Sequence, residues 1–345
     1  MNNFTLKVLL LLCLCFSVSA KERFVSYTEA FDVFEIVDQI SAWHPNTRSQ
    51  YRQYFDKTFT LSMSDKLMLD KYAKVRSKYH TLYPDAENSI FSEEAIANDS
   101  LSSSFSSQST VDRSIAFLRK KNKIKDGDLK ELVSVYKHFK PQVSKIVRES
   151  ALLHDEAKRL NKILKKSKIL SNIKKLDKFF DLPTHRIKNG RIKLVWLPAT
   201  SEPMVDYRGG RVIIRMNPVK HSKLIGEDFV LYSLVDSLFV SLSKNKKENF
   251  SKIFVDGCPK IKTKSMPKEF WFQAPLVEAF SRYYLKELKN KKAFNPYEIK
   301  SSSPWTSSFS SFLYGLSSYS IKRKSKLDRE FMTISANYCS QLLSI

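Results

Sequence analysis

Residues 228–243, DFVLYSLVDSLFVSLS, decide how the rest of the chain is read. Phe229, Val230, Leu231, Leu234, Val235, Leu238, Phe239, Val240 and Leu242 cover most of the circumference of a helix, the pattern of a helix enclosed on nearly every side. Ser233, Asp236 and Ser237 interrupt that coat at i, i+3 and i+4, so a helix gathers them into one narrow polar stripe. An acid in such a place needs a partner, because desolvation disfavours its charged form. The stripe therefore either meets a structural need or lines a cavity.

The register Ser233-Leu234-Val235-Asp236-Ser237, with a strand-rich segment before it and a second helix carrying Glu278 after it, resembles the core of zincin-type metallopeptidases, the gluzincin branch in particular. In that family the first helix reads His-Glu-x-x-His: two imidazoles bind zinc from one face and the Glu between them is the general base. Here both ligand positions are Ser and the base position is Leu234. The family's third-ligand Glu matches Glu278, within WFQAPLVEAFSRYY at 271–284, and the pattern spans 191–289. The resemblance implies a zincin-like scaffold without its metal site, a pseudopeptidase with no cofactor and no catalytic residue. Its cleft would be lined by Ser233, Asp236, Ser237 and Glu278. Without the resemblance, Glu278 pairs with Arg282 four residues on.

The N-terminus carries Lys7, an apolar run from Val8 to Phe16 and the small-residue site Val18-Ser19-Ala20. That order predicts a signal peptide over 1–20 and export to the periplasm or medium, with a mature chain starting near Lys21. Its apolar run is too short to span a bilayer, and no later run approaches ~20 apolar residues. Cleavage leaves Cys258 and Cys339, which form either one disulfide or two buried thiols. Two cysteines exclude a disulfide-rich scaffold and a four-cysteine zinc site.

The charge is lopsided. The chain holds 59 Lys+Arg against 35 Asp+Glu, a formal +24. Such an excess favours anionic partners, an anionic lipid or an anionic wall polymer, while export argues against nucleic acid. Dispersed over helices, the same lysines also read as a solvated surface. At 345 residues and 42% hydrophobic content the chain can bury a full core.

Patterning divides the mature chain into a helical region, 21–182, and an α+β region, 183–345. Ala30, Phe31, Phe34, Val37, Ile40 and Trp43 recur at helical spacing, as do Leu67, Leu69, Tyr72, Val75 and Tyr79. Residues 98–110, NDSLSSSFSSQST, read as a Ser-rich loop pinned by Leu101 and Phe105. Asp128 and Glu131 have capping-box spacing, which predicts a helix over 128–139 stopped by Pro141. Pro141 then opens another helix whose seam runs through Val143, Ile146, Ser150, Leu153, Ala157, Leu160 and Leu164. Ile192, Leu194 and Trp196 alternate in a half-buried strand, 211–216 forms a second, and Arg208-Gly209-Gly210 supplies the turn between them. In the zincin family a strand of this region borders the cleft and pairs with an extended substrate. His221 reads as a surface loop histidine.

No Gly-x-Ser-x-Gly elbow and no phosphate-cradling loop is present. A Ser233 nucleophile lacks a base, since Asp236 is too weak a proton acceptor. The expectation is a mostly helical α+β protein with a zincin-like region of small sheet and two buried site helices. The expected function is to bind a peptide or envelope component in an inactive cleft, with a cationic envelope-associated scaffold or adhesion protein, or an active hydrolase with an unrecognised site, as the alternatives.

Overall fold

A computed structural model of the chain describes residues 24–45, 47–83, 89–91, 96–121, 123–166, 169–182, 191–208, 211–222, 224–284 and 303–344. The expected leader over 1–20 and Gly209-Gly210 of the expected turn lie outside these residues. The chain is mostly helical with a small four-stranded sheet, an α+β fold.

In chain order, β1 (Val25–Ser26) leads into α1 (Glu29–Ile40), α2 (Ser49–Phe59) and α3 (Met63–Lys78). A two-stranded ribbon, β2 (His80–Tyr83) and β3 (Ile96–Asp99), precedes α4 (Ser100–Ser107) and α5 (Val111–Lys120). Then come α6 (Asp126–Ser150), α7 (Leu153–Lys166) and α8 (Ile169–Phe179), followed by β4 (Ile192–Trp196), β5 (Met204–Arg208) and β6 (Arg211–Met216). The rest is α9 (Glu227–Val240), α10 (Lys244–Gly257), α11 (Gln273–Glu278) running on into a π-helical turn (Ala279–Tyr284), α12 (Pro304–Lys322) and α13 (Arg329–Leu342).

The sheet runs in the order β1-β4-β6-β5, with β1, β4 and β6 parallel and β5 antiparallel to β6 at the edge. The helical and α+β regions thus share one sheet: β1, from the first, pairs with β4 of the second, and the Asn161 side chain of α7 holds the Phe24 and Val25 amides at 2.9 and 3.0 Å. The boundary expected near residue 182 separates patterns of sequence and not packed bodies. The half-buried alternation expected of 192–196 is not found either, because every residue of β4 is buried. Helices cover both faces of this central strand, α1 among them, whereas the edge strand β5 is only half-buried.

Three local expectations are overturned for identifiable reasons. The Ser-rich segment is not a loop but the end of β3 and all of α4. Asp99 caps the helix by accepting the Ser102 N–H at 2.8 Å, and Leu101 and Phe105 bury one face. The serine hydroxyls of 104, 106 and 107 donate back to carbonyls three or four residues earlier. Pro141 stops nothing: it sits inside the 25-residue α6. An interior proline costs about 3 kcal/mol. The apolar seam through Leu132, Val135, Phe139, Val143 and Ile146 is buried on both sides of it, and that burial outweighs the lost hydrogen bond. The break falls instead between α6 and α7, at Ala151–Leu152, although every seam residue named above is buried. Asp128 caps nothing, since its carboxylate takes the Lys78 ammonium and the Tyr79 hydroxyl, each at 2.7 Å.

In the C-terminal part, α10 and α13 lie against each other and are joined by a disulfide between Cys258 and Cys339, Cα atoms 5.8 Å apart. Beside that bridge the two helices come unusually close. A Cβ added at Gly257 would stand 2.7 Å from the Ala336 Cβ, a rigid neighbour with no free rotamer. Gly257→Ala should therefore force α10 from α13 and destabilise the fold by about 1–3 kcal/mol in a urea titration, with the disulfide intact. A wild-type midpoint in that variant would show that the helices separate freely.

Candidate functional site

The sheet is two-faced, and β5 carries both characters. Its alternation turns Asp206 and Arg208 to the α1 side and Val205 and Tyr207 to the α9 side. On the α1 side lies a chain of eight alternating charges, in the order Asp99, Arg76, Asp38, Arg208, Glu35, Arg215, Asp206, Arg48. Arg76 Nη2 donates to Asp99, and its Nε meets Asp38 at 2.5 Å. Arg208 Nη1 joins Asp38 at 3.0 Å to Glu35 at 2.9 Å. Arg215 joins Glu35 at 2.7 Å to Asp206 at 2.6 Å, and Arg48 closes the run on Asp206 at 2.6 Å. Both side chains of the Arg76–Asp38 and Arg215–Glu35 pairs are fully buried.

The electrostatics follow from that order. Burial alone would raise the Asp38 carboxyl, but Arg76 and Arg208 outweigh it and hold it at about 2. Asp206 is likewise held well below the carboxylate range, against its burial, by Arg215 and Arg48. Trp43 and Phe34 lie 4.5 and 5.2 Å from the Arg76 guanidinium and supply cation–π faces. Asp32, on the same helix as Glu35 and Asp38, has no arginine. Burial pushes its carboxyl up to about 6, and it accepts the Trp196 N–H at 2.7 Å.

On the other side of β5, a cleft of about 420 Å³ opens between the strand and α9. It is lined by Val205, Tyr207, Phe229 and Tyr232, with Asp228, Ser233, Asp236 and Ser281 supplying polar atoms. The Asp236 carboxylate is fixed at both oxygens. Tyr207 donates its hydroxyl to one at 2.6 Å and Gln273 its amide to the other at 2.5 Å. Burial raises the Asp236 carboxyl above its ordinary value, against those two hydrogen bonds. Ser281, in the π-helical turn, is buried, and its hydroxyl has no partner. π-Helical turns recur at functional sites because they re-aim side chains within a helix.

The polar stripe expected on α9 does not act as one unit. Ser233 lies at the cleft but donates its hydroxyl to Phe229 O at 2.8 Å. Ser237 donates to Leu234 O at 2.6 Å and accepts from Arg191 at 3.3 Å, on the side where Arg191 faces Asp177. Burial, only partly offset by that arginine 3.7 Å away, pushes Asp177 up to about 6. Glu278 is buried at the end of α11, which packs on α9, but it does not line the cleft, and no hydrogen bond joins it to Ser233 or Ser237. Ser233 and Ser237, which the resemblance would put at ligand positions, carry hydroxyls bonded to their own helix and do not fit a zinc ion. Among the described residues no group of three or more His, Cys, Asp or Glu could hold a metal. His221, expected on the surface, is buried, its Nδ1 accepting the Asn217 N–H at 2.9 Å.

No family model, curated protein or solved structure matches the chain.

Tyr207, Gln273, Tyr232 and Ser281 were not singled out from sequence. Tyr207 had a signal, because it alternates with two charged residues in 204–208. Asp32, Glu35 and Asp38 had a stronger one. They recur every three residues within an apolar helix, polar interruptions of the kind that marked 233–237.

The charge chain makes a sharp expectation. Arg76→Met leaves Asp99 buried without a guanidinium and Asp38 with Arg208 alone, which costs about 3–5 kcal/mol. The matched change Lys71→Met breaks only the exposed pair with Glu131 and should leave the urea midpoint almost unmoved. Equal midpoints for the two variants would mean the buried acids find other partners.

Proposed function

We propose that this is an exported protein whose cleft between β5 and α9 binds an extended peptide or envelope component without cutting it, on a zincin-like scaffold that carries no metal site. One observation carries the reading: β5 is the edge of the sheet and also a wall of the cleft. Only its β6 side is hydrogen-bonded to a strand among the described residues, with β3 packed near it but in a separate ribbon, and an edge strand beside an apolar cleft is the arrangement that accepts a peptide by strand addition. Main-chain bonds to β5 would supply affinity and the cleft would select a side chain. Ser233 donates to its own helix and Asp236 has no histidine among its partners, so neither is equipped for acyl transfer.

A library of capped pentapeptides tests this. A bound member should slow amide exchange at 204–208 and shift the Tyr232 ring signals, with the peptide mass unchanged after prolonged incubation. Protection elsewhere, or cleavage, would sink the reading.

A second reading, a cationic envelope-associated scaffold, is favoured by where the charges lie. The described arginines that meet buried acids are neutralised inside, while Lys162, Lys165 and Lys166 of α7 stand exposed together. If that face binds an anionic lipid or wall polymer, affinity for phosphatidylglycerol vesicles should fall steeply from low to physiological salt. Salt-independent binding would remove this reading. No helix among the described residues is long and apolar enough to cross a membrane.

A further inference from the structure

The buried carboxylates around the sheet are matched to bases almost without exception. Glu35, Asp38, Asp99, Asp177 and Asp206 each lie within ion-pair distance of an arginine. Asp32 does not, but it is fully enclosed and its oxygens take the Trp196 N–H and the Tyr27 hydroxyl. Asp236 is different. It opens on the cleft, and both of its hydrogen-bond partners, Tyr207 and Gln273, are neutral. No ion pair among the described residues reaches Asp236, and the buried Lys247 acts on it through charge alone.

We infer that the cleft takes an organic cation, the ammonium or guanidinium of a lysine or arginine side chain, with Asp236 as its counter-ion and Tyr207, Phe229 and Tyr232 as its aromatic walls. The inference rests on the peptide reading for the chain that carries the cation. Four observations support it. The volume of about 420 Å³ suits one long side chain. Three aromatic rings line the space, and ring faces attract cations through their quadrupole. The buried Ser281 hydroxyl lacks a partner and can accept from an ammonium. A purely apolar occupant would bury the Asp236 and Ser281 oxygens without improving their bonding, and an anion would meet Asp236 directly. The overall +24 opposes a cation only at long range, because exposed charges are screened beyond about 8 Å at physiological ionic strength.

The test uses the whole exported chain and three capped pentapeptides identical except for a central lysine, norleucine or glutamate, with n-butylammonium as a small probe. Calorimetry should rank lysine at least about tenfold above norleucine, with glutamate weakest. Asp236→Asn should abolish the preference for lysine. Tyr232→Leu, at the half-exposed rim, should weaken it with an unchanged melting temperature, and this variant decides the matter if Asp236→Asn does not fold. By NMR, butylammonium should be held by wild type and released by Asp236→Asn. Equal binding of the three peptides would overturn the cation inference and leave peptide binding standing. Butylammonium held through Asp236 with no peptide bound would do the reverse. If lysine is not preferred and butylammonium is not held, the inference is wrong.

Discussion

The alternating run from Asp99 to Arg48 is the constraint on which the rest of the structure depends. Four arginines and four acids, drawn from α1, α3, the end of β3, β5, β6 and the start of α2, cancel in charge. Each interior member bridges two neighbours of opposite sign. A buried ion pair is a poor source of net stability, because desolvation of both charges offsets most of their attraction. Its effect on alternatives is much larger. A one-residue slip of β5 against β6 would turn Asp206 and Arg208 into the cleft and drive Val205 and Tyr207 into the charged layer, leaving Arg215 and Glu35 underpaired. The network therefore defines the register of the edge strand from behind. The cleft wall in front, Val205 and Tyr207, inherits that register.

Much of the architecture was legible because it rests on apolar periodicity. The enclosed helix at 228–243, the seam through 143–164, most of the buried side of 64–79 and the strands at 192–196 and 211–216 follow from which positions must avoid water, although Leu67 is exposed and the strand 204–208, which pairs with 211–216, was not legible. Element boundaries failed where polar side chains had a local use that periodicity does not register. Serines became helical at 100–107 by bonding their own backbone, and Pro141 was carried through by packing on either side of it. Both are cases of tertiary context overriding local propensity. The half-buried reading of 192–196 failed for a related reason. Whether a second layer covers a strand depends on segments more than a hundred residues away in sequence, here α1.

The candidate site was half legible. Asp236 was found because an acid on an otherwise apolar helix demands an explanation, and its explanation lies in Tyr207 and Gln273. The same rule applied to Asp32, Glu35 and Asp38 points to the charge chain, whereas counting only the apolar positions of that helix conceals it. Ser233 and Ser237 looked like partners of Asp236 from spacing alone. A small hydroxyl four residues from its own carbonyl has a nearer acceptor, and both serines use it. Spacing identifies which side chains share a helix face, not which of them are left available once the backbone has been served.

That distinction also separates the two sides of β5. Behind the strand the four arginines and four acids of the run are met by one another, and the enclosed Asp32 by the Trp196 N–H and the Tyr27 hydroxyl, so this layer acts as scaffold. In front of it a half-buried carboxylate takes its hydrogen bonds from neutral donors, with Lys247 acting on it through charge alone, and a buried hydroxyl on a π-helical turn has no partner among the described residues. Burial without compensation is unfavourable to folding. The two faces share one strand, so any displacement of β5 that closed the cleft would have to break Arg208 from Glu35 and Asp38, and Asp206 from Arg215 and Arg48. Those bonds oppose collapse of the cleft and hold it open at a fixed width. The unmatched polar atoms are thus kept at the surface of a preformed cavity, where a ligand binds without first reorganising the wall.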